Sequence, residues 1–325
     1  MKLVSIVVPV YNEEDNINHF YQAICQTMKG LNYNWELVFV DDGSSDSSWE
    51  ILEKMEEDDS RVQPIKLSRN MGHQLALTCG MDYADGDMVI TMDGDMQHPP
   101  ELIPVLIGAW EQGYEVVQTV RRTTEGVSWI KNFSSNCFYW LINHISDTHV
   151  IEGGSDFRLL DAKVVRALRH YREHARFLRG MISAMGYRKT TVEFVAPPRF
   201  AGESKFSPKK MLHLAMDGVL AYSSLPLRLG LYAGILCTFI SILIFLHVLI
   251  EKFIVGDTEP GWATIIGCIT FFGAVQLVTL GLIGVYIGRI FEEVKRRPLY
   301  LVAREKRLRK RKSDPNESKE FIDGS

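Results

Sequence analysis

Residues 35–44 read WELVFVDDGS, and this stretch decides the fold. Its first six positions are apolar apart from Glu36 and carry Val38 and Val40, the composition of a strand covered on both faces. Asp41-Asp42-Gly43-Ser44 then breaks the run with turn formers. The same pattern recurs on either side. Upstream, residues 3–10 (LVSIVVPV) form an apolar, β-branched run that ends at Pro9. Downstream, residues 88–92 (MVITM) lead into Asp93-Gly94-Asp95. Helices fill the gaps. Asn12 is expected to cap the first, with Glu13, Glu14 and Asp15 in its opening turn and Gly30 as its stop. Others are expected over 47–57 and 72–84, with a strand at 62–67 between them. Such alternation predicts an α/β domain with a mostly parallel, Rossmann-like sheet and helices on both faces. Ligands of such sheets bind at the carboxyl ends of the strands, where both acidic turns lie.

Farther along, a helix is expected over 101–112 and a strand over 115–120 that closes on Arg121-Arg122. The aromatic-rich stretch 128–145 reads as helical, 157–160 as a short strand, 162–170 as a helix and 187–195 as a strand. No internal repeat is visible. A net charge of −4 gives no reason to expect nucleic-acid binding. The five cysteines (Cys25, Cys79, Cys137, Cys237, Cys268) form no CxxC or Cys/His cluster, so they read as buried thiols in a reducing compartment. The opening residues lack a small-residue cleavage site, which predicts that the bulk of the chain stays on the side of synthesis.

The last third changes character. Over 207–225 the apolar residues recur at helical spacing, with Lys209, Lys210 and His213 largely apart from them. That pattern fits an interfacial helix on a membrane, or equally a soluble helix docked on the domain. Residues 229–250 and 262–287 are free of charge, and each is long enough to cross a ~30 Å hydrocarbon core. An acidic loop (251–261) separates them and basic residues flank the pair, which predicts a hairpin with both termini in the cytoplasm. The expected domains are therefore a catalytic unit over 1–205, an interfacial region over 206–228, the hairpin over 229–288 and a basic tail over 289–325. The tail is expected on anionic headgroups, with a disordered end.

Asp93-Gly94-Asp95, followed by Gln97, is the first candidate site. Two carboxylates one residue apart at a strand end can turn toward one divalent ion, which in turn bridges the phosphates of a nucleotide. Alone the pattern is common in solvated turns. Its position after a strand, with a second acidic strand end at Asp41-Asp42, sets it apart.

The set Pro9-x-Tyr11-Asn12-Glu13-Glu14, Val40-Asp41-Asp42-Gly43-Ser44, Arg69-Asn70 and Asp93-x-Asp95-x-Gln97-x-Pro99-Pro100-Glu101 resembles family-2 glycosyltransferases of the GT-A fold. Within them it is similar to the polyprenyl-phosphate glycosyltransferases, the group of dolichol-phosphate mannose synthase and bactoprenol glucosyltransferase. The likeness continues through Gly154–Asp161 and through Arg199-Phe200-x-Gly202-x-Ser204-Lys205. His98 departs from it, since many relatives carry an acid there.

The resemblance implies that Pro9, Tyr11, Glu13, Asp41, Arg69 and Asp93 surround the nucleotide. Asp41 suits that place on its own chemistry, as an acceptor-only carboxylate facing a base N–H or ribose hydroxyls. Pro9 and Tyr11 could instead shape the turn, and Asp42 could hold its own Gly43-Ser44 turn. Asp93, Asp95 and Gln97 are implied as the metal set, a hard-oxygen set that fits Mg²⁺ or Mn²⁺. Asp95 and Asp156 are the implied catalytic residues. Asp156 matches the acid proposed as base in related inverting enzymes. A phosphate acceptor is already largely anionic near neutral pH, so alignment is the alternative role. Arg122 (of the pair Arg121-Arg122), Lys131, Arg199, Ser204 and Lys205 are implied as the phosphate and acceptor clamp.

The implied reaction is inverting transfer of a sugar to a polyprenyl phosphate, undecaprenyl phosphate first, at the cytoplasmic face of the plasma membrane. UDP-glucose is the first-choice donor, ahead of UDP-N-acetylglucosamine and GDP-mannose. Self-association and a partner flippase are compatible with this picture. A processive polysaccharide synthase would carry a Gln-x-x-Arg-Trp motif, and no Arg-Trp occurs in the chain. A nucleotide-binding membrane scaffold is the non-enzymatic rival.

Overall fold

The computed structural model describes residues 1–121, 154–174, 176–195, 225–250 and 261–305. Its centre is an eight-stranded sheet: β1 (Leu3–Val10), β2 (Asn34–Asp41), β3 (Val62–Leu67), β4 (Met88–Thr91), β5 (Val116–Arg121), β6 (Gly154–Asp161), β7 (Lys189–Phe194) and β8 (Val302–Glu305). The spatial order is β7-β5-β6-β4-β1-β2-β3-β8. β4, β1, β2 and β3 run parallel, as do β5 and β7, while β6 is antiparallel to both β4 and β5. The reversal of β6 brings its beginning to the sheet edge where the parallel strands end.

Helices cover both faces, as the alternation predicts. On one side α1 (Glu14–Lys29), α2 (Ser48–Asp58) and α4 (Ile103–Glu111) bury Ile17, Phe20, Ile24, Leu52, Ile103 and Leu106 in one core with residues of β1, β2, β5 and β6. On the other, α3 (His73–Tyr83), α5 (Ala162–His170) and α6 (Leu178–Ala184) close over Val7, Val38 and Val89. Of these helices only α5 has a side-chain cap, Asp161 accepting from the Lys163 amide at 2.9 Å. A cap contributes typically about 1 kcal/mol, whereas full burial of one large apolar side chain contributes roughly 1.5–3 kcal/mol. Packing against the sheet therefore holds these helices in place.

Four local expectations differ from what is observed. Asn12 does not cap α1: its φ is 53°, and its side chain accepts the Ser45 amide at 2.8 Å instead. The strand expected at 157–160 runs the whole of Gly154–Asp161. α6 has no counterpart among the expected elements, because seven residues give too short a period to read. Residues 302–305, expected on lipid headgroups with the rest of the tail, form β8 on the free edge of β3, and Arg304 pairs with Glu53 at 2.8 Å.

Two long apolar helices follow the sheet domain, α7 (Leu225–Ile250) and α8 (Trp262–Val294). Within α8, Gly267–Val294 is long and apolar enough to cross a membrane. Beyond it the chain returns to the sheet domain. Glu293 accepts the His174 amide at 2.8 Å, the Tyr300 hydroxyl donates to Asp82 at 2.7 Å, and the Ser68 amide donates to the Leu301 carbonyl at 2.8 Å.

Candidate active site

At the ends of β1 and β2 the two turns are stitched together. The Asn12 amide donates to Ser44 Oγ at 2.9 Å and the Glu13 amide to Ser48 Oγ at 3.0 Å. Asp41 is fully buried. Its Oδ1 accepts the Ser44 amide at 2.9 Å, while its Oδ2 is buried without a hydrogen bond, 3.8 Å from Lys66 Nζ. An orphaned acceptor of this kind is costly unless a ligand donor meets it. The Gly43-Ser44 turn is thus held by Asp41. Asp42 reaches instead to the loop after β3, accepting the amides of Met71 at 2.7 Å and Gly72 at 2.9 Å. Burial pushes the Asp42 carboxyl up, against the pull of those two amides. Gly43 explains how the loops approach so closely. It has φ 71°, and a Cβ there would lie 2.6 Å from the backbone of Arg69 and of Asn70. Arg69 itself is exposed on that loop.

Beside this corner, β4 leads through Met92 into Asp93. Asp95 Oδ1 accepts the Gln97 amide at 3.2 Å, and Met96 adopts φ 62° to make the turn. Asp93 Oδ1 is buried without a hydrogen bond, 3.4 Å from His73 Nε2. His73 opens α3 and also stands 3.5 Å from Asp156 Oδ2. Desolvation works against its charged form, but the carboxylates of Asp156 and Asp93 outweigh it and hold the imidazole above its ordinary value.

Asp156 sits at the start of β6 and is 8% exposed. Arg158 Nη2 contacts its Oδ1. Arg179 engages both oxygens, Nε to Oδ1 and Nη2 to Oδ2, each at 3.1 Å. Burial alone would raise the carboxyl. The arginines and His73 reverse that and hold it well below the usual carboxylate range. Burial pulls Arg158 down to about 10, which leaves it charged at neutral pH. The arrangement is a buried, ionised carboxylate with guanidinium groups on both oxygens.

Of the sequence-derived residues, Pro9, Tyr11, Glu13, Asp41 and Arg69 lie along the ends of β1, β2 and β3, and Asp93, Asp95, Gln97 and Asp156 at the adjoining corner of β4 and β6. Glu13 turns onto its own helix, accepting from Asn16 Nδ2 at 2.5 Å. Gln97 Oε1 accepts from Arg121 Nη1 at 3.1 Å, which brings Arg121 to this corner. Arg122, Lys131, Arg199, Ser204 and Lys205 lie outside the described residues.

A profile of the family described as "Glycosyl transferase family 2" matches residues 5–169, which span both acidic turns and Asp156. This chain belongs to glycosyl transferase family 2. The uncharacterized glycosyltransferase YkcC of Bacillus subtilis is 45% identical over 298 residues, 92% of each chain. A prophage-derived bactoprenol glucosyl transferase of Shigella flexneri is 38% identical over 306 residues, 94% of this chain and 98% of that one. Among solved structures, Mycobacterium tuberculosis glucosyl-3-phosphoglycerate synthase aligns at 15% identity with a TM-score of 0.43, covering 67% of this chain and 78% of that one. So loose a likeness carries no residue role across.

The donor set of this glycosyltransferase can be tested for a divalent cation on its own atoms. Among the described residues no cluster of three or more His, Cys, Asp or Glu side chains forms a ready-made cage. What the corner offers is the orphaned Asp93 Oδ1 and the Asp95 carboxylate, both hard oxygens. Mg²⁺ is commonly held by one or two carboxylates plus substrate phosphates and water, so the residues fit. The sequence missed His73, Gln74, Arg158 and Arg179, all of which converge on Asp156. Arg158 was within reach of inference, two residues after Asp156 on a strand and so on the same face. Arg179 was not, because nothing in its neighbourhood announces α6.

Proposed function

We propose that this glycosyltransferase moves a sugar from a nucleotide-sugar, UDP-glucose first, to a polyprenyl phosphate at the cytoplasmic face of a membrane, with inversion. The observation that carries it is the state of Asp156. A carboxylate clamped by two guanidiniums and held far below its ordinary value is a poor general base near pH 7. An acceptor hydroxyl would need such a base. A phosphate monoester, with a second pKa of about 6, does not. The name of the Shigella relative, a bactoprenol glucosyl transferase, supports the lipid half of the reading.

In this mechanism Asp41 Oδ2 takes a donor of the base or ribose, and the Gly43 turn keeps Arg69 beside it. Asp93 and Asp95 would hold Mg²⁺ or Mn²⁺, which supplies charge neutralisation for the departing diphosphate. An oxygen of the lipid phosphate attacks the anomeric carbon as the bond from that carbon to the diphosphate breaks, and the nucleoside diphosphate leaves. Asp156 keeps Arg158, Arg179 and His73 in place around the reacting groups. Arg122, Lys131, Arg199, Ser204 and Lys205 are assigned to the phosphates by the resemblance. α7 and α8 are read as a membrane hairpin with both termini cytoplasmic. Neither self-association nor a partner flippase is needed. The test is a screen of radiolabelled UDP-glucose, UDP-N-acetylglucosamine and GDP-mannose with undecaprenyl phosphate in detergent. Label from UDP-glucose in the lipid fraction is expected, and no lipid product from any donor would overturn the proposal.

A further inference from the structure

His98 and Ser155 take no part in the proposed transfer, yet they span the corner where Asp93, Asp95 and Asp156 meet. His98 is 6% exposed, its imidazole stacked on Phe157 with centroids 5.2 Å apart and edge-on to Phe194 at 6.0 Å. The Asp93 amide nitrogen is 2.8 Å from His98 Nδ1. On the far side of the ring, Nε2 is 2.7 Å from Ser155 Oγ. A backbone N–H only donates, so Nδ1 must present its lone pair to Asp93. The ring then carries its proton on Nε2 and donates it to Ser155. Ser155 Oγ also accepts the Phe157 amide at 3.2 Å, which fixes the hydroxyl against the strand.

The position of this bridge gives it its importance. Backbone pairing between β4 and β6 ends at Thr91 and Arg158. Past that pair the two chains carry Asp93 and Asp95 on one side and Asp156 on the other, with no ladder between them. The Thr91 hydroxyl donates to the Asp156 carbonyl at 2.6 Å; farther out His73 stands between the Asp93 and Asp156 carboxylates, and His98 joins the Asp93 backbone to Ser155. We propose that His98 is a positioning residue, bracing the Asp93–Asp95 turn against the strand of Asp156 through one bond at each ring nitrogen. Its effect on catalysis passes through the carboxylates it holds, not through the substrate. The proposal rests on the reading of Asp93 and Asp95 as cation ligands.

The experiment uses the full chain in detergent and measures Mn²⁺ affinity in saturating UDP by calorimetry, beside thermal melting and turnover. His98→Ala and Ser155→Ala are made singly and together. His98→Asn keeps an acceptor where Nδ1 stands but loses the reach to Ser155. Residues that orient metal ligands typically change affinity about ten- to a hundredfold, and that loss is expected for His98→Ala. Ser155→Ala should lose less, and the double variant should be no worse than His98→Ala, because both cut one bridge. His98→Asn should keep Mn²⁺ affinity within about threefold of wild type while turnover falls, since only the Asp156 end is released. If His98→Ala does not fold, the Asn variant and Ser155→Ala carry the same comparison. Unchanged Mn²⁺ affinity and turnover in folded variants, or fully additive losses, would overturn the brace. Asp95→Asn separates the two readings. If it binds Mn²⁺ as wild type does, the cation reading itself has failed and the brace with it.

Discussion

In the proposed transfer Asp156 is the residue on which the chemistry turns, and its surroundings make a distinctive prediction. Its folded-state pKa is depressed, so its contribution to stability is complete above the ordinary aspartate value of about 4 and is lost as pH falls below it. Over the neutral range it does not titrate. Turnover plotted from pH 5 to 9 should therefore show no limb assignable to a carboxylate. An acidic limb that disappears in Asp156→Asn would mean that it acts as a base. That substitution also leaves the fully buried Arg158 with a neutral partner. Breaking a buried pair typically costs about 3–5 kcal/mol, so a clear drop in melting temperature is expected. Lost activity in Asp156→Asn is then no proof of proton transfer. Asp95→Asn is the cleaner probe: turnover should be abolished with an unchanged melting temperature, and near-normal turnover would remove the cation reading. Gly43→Ala forces a Cβ against backbone atoms 2.6 Å away at a positive φ. A cost of roughly 1–3 kcal/mol in stability is expected, with weaker UDP binding because the Arg69 loop must shift. Unaltered UDP affinity by calorimetry would argue that the turn has no part in donor binding.

Between residues, the strands and helices show what was legible in the sequence. β1 to β4 could be read because continuous apolar runs ended in turn chemistry, and both acidic turns fell where parallel strands end. The direction of β6 could not. A strand covered on both faces looks the same in either orientation, so the meeting of Asp156 with Asp93 was invisible. Asp41 and Asp42 illustrate a finer limit. Adjacent carboxylates on one turn exchange roles according to which loop packs beneath them, and only the fold reveals that loop. β8 was hidden by its charges, since Arg304 and Glu305 on an exposed edge strand resemble a solvated tail. Docking of this strand reaches the loop that carries Arg69. The Leu301 carbonyl takes the Ser68 amide, one residue before Arg69, so the strap after α8 steadies the loop proposed to meet the donor. A chain truncated after Leu299 should melt at lower temperature and bind UDP more weakly. Unchanged values for both would confine β8 to edge covering.

Across the whole molecule, a family 2 sheet domain is followed by apolar helices, and the chain after α8 returns to the sheet. That return predicts the side on which α8 ends. A cysteine placed at Thr258 should react with an impermeant reagent in intact cells, while one at Ser318 should not, and the reverse pattern would cut the enzyme off from cytoplasmic nucleotide-sugars. The central claim is that the acceptor arrives already ionised, so that the site needs no general base. It is tested most directly by offering the purified chain radiolabelled UDP-glucose with undecaprenyl phosphate or with undecaprenol, identical but for the phosphate. Transfer to the phosphate with inverted anomeric configuration, and none to the alcohol, is the predicted result. Comparable transfer to undecaprenol, or retained configuration on the phosphate, would contradict it.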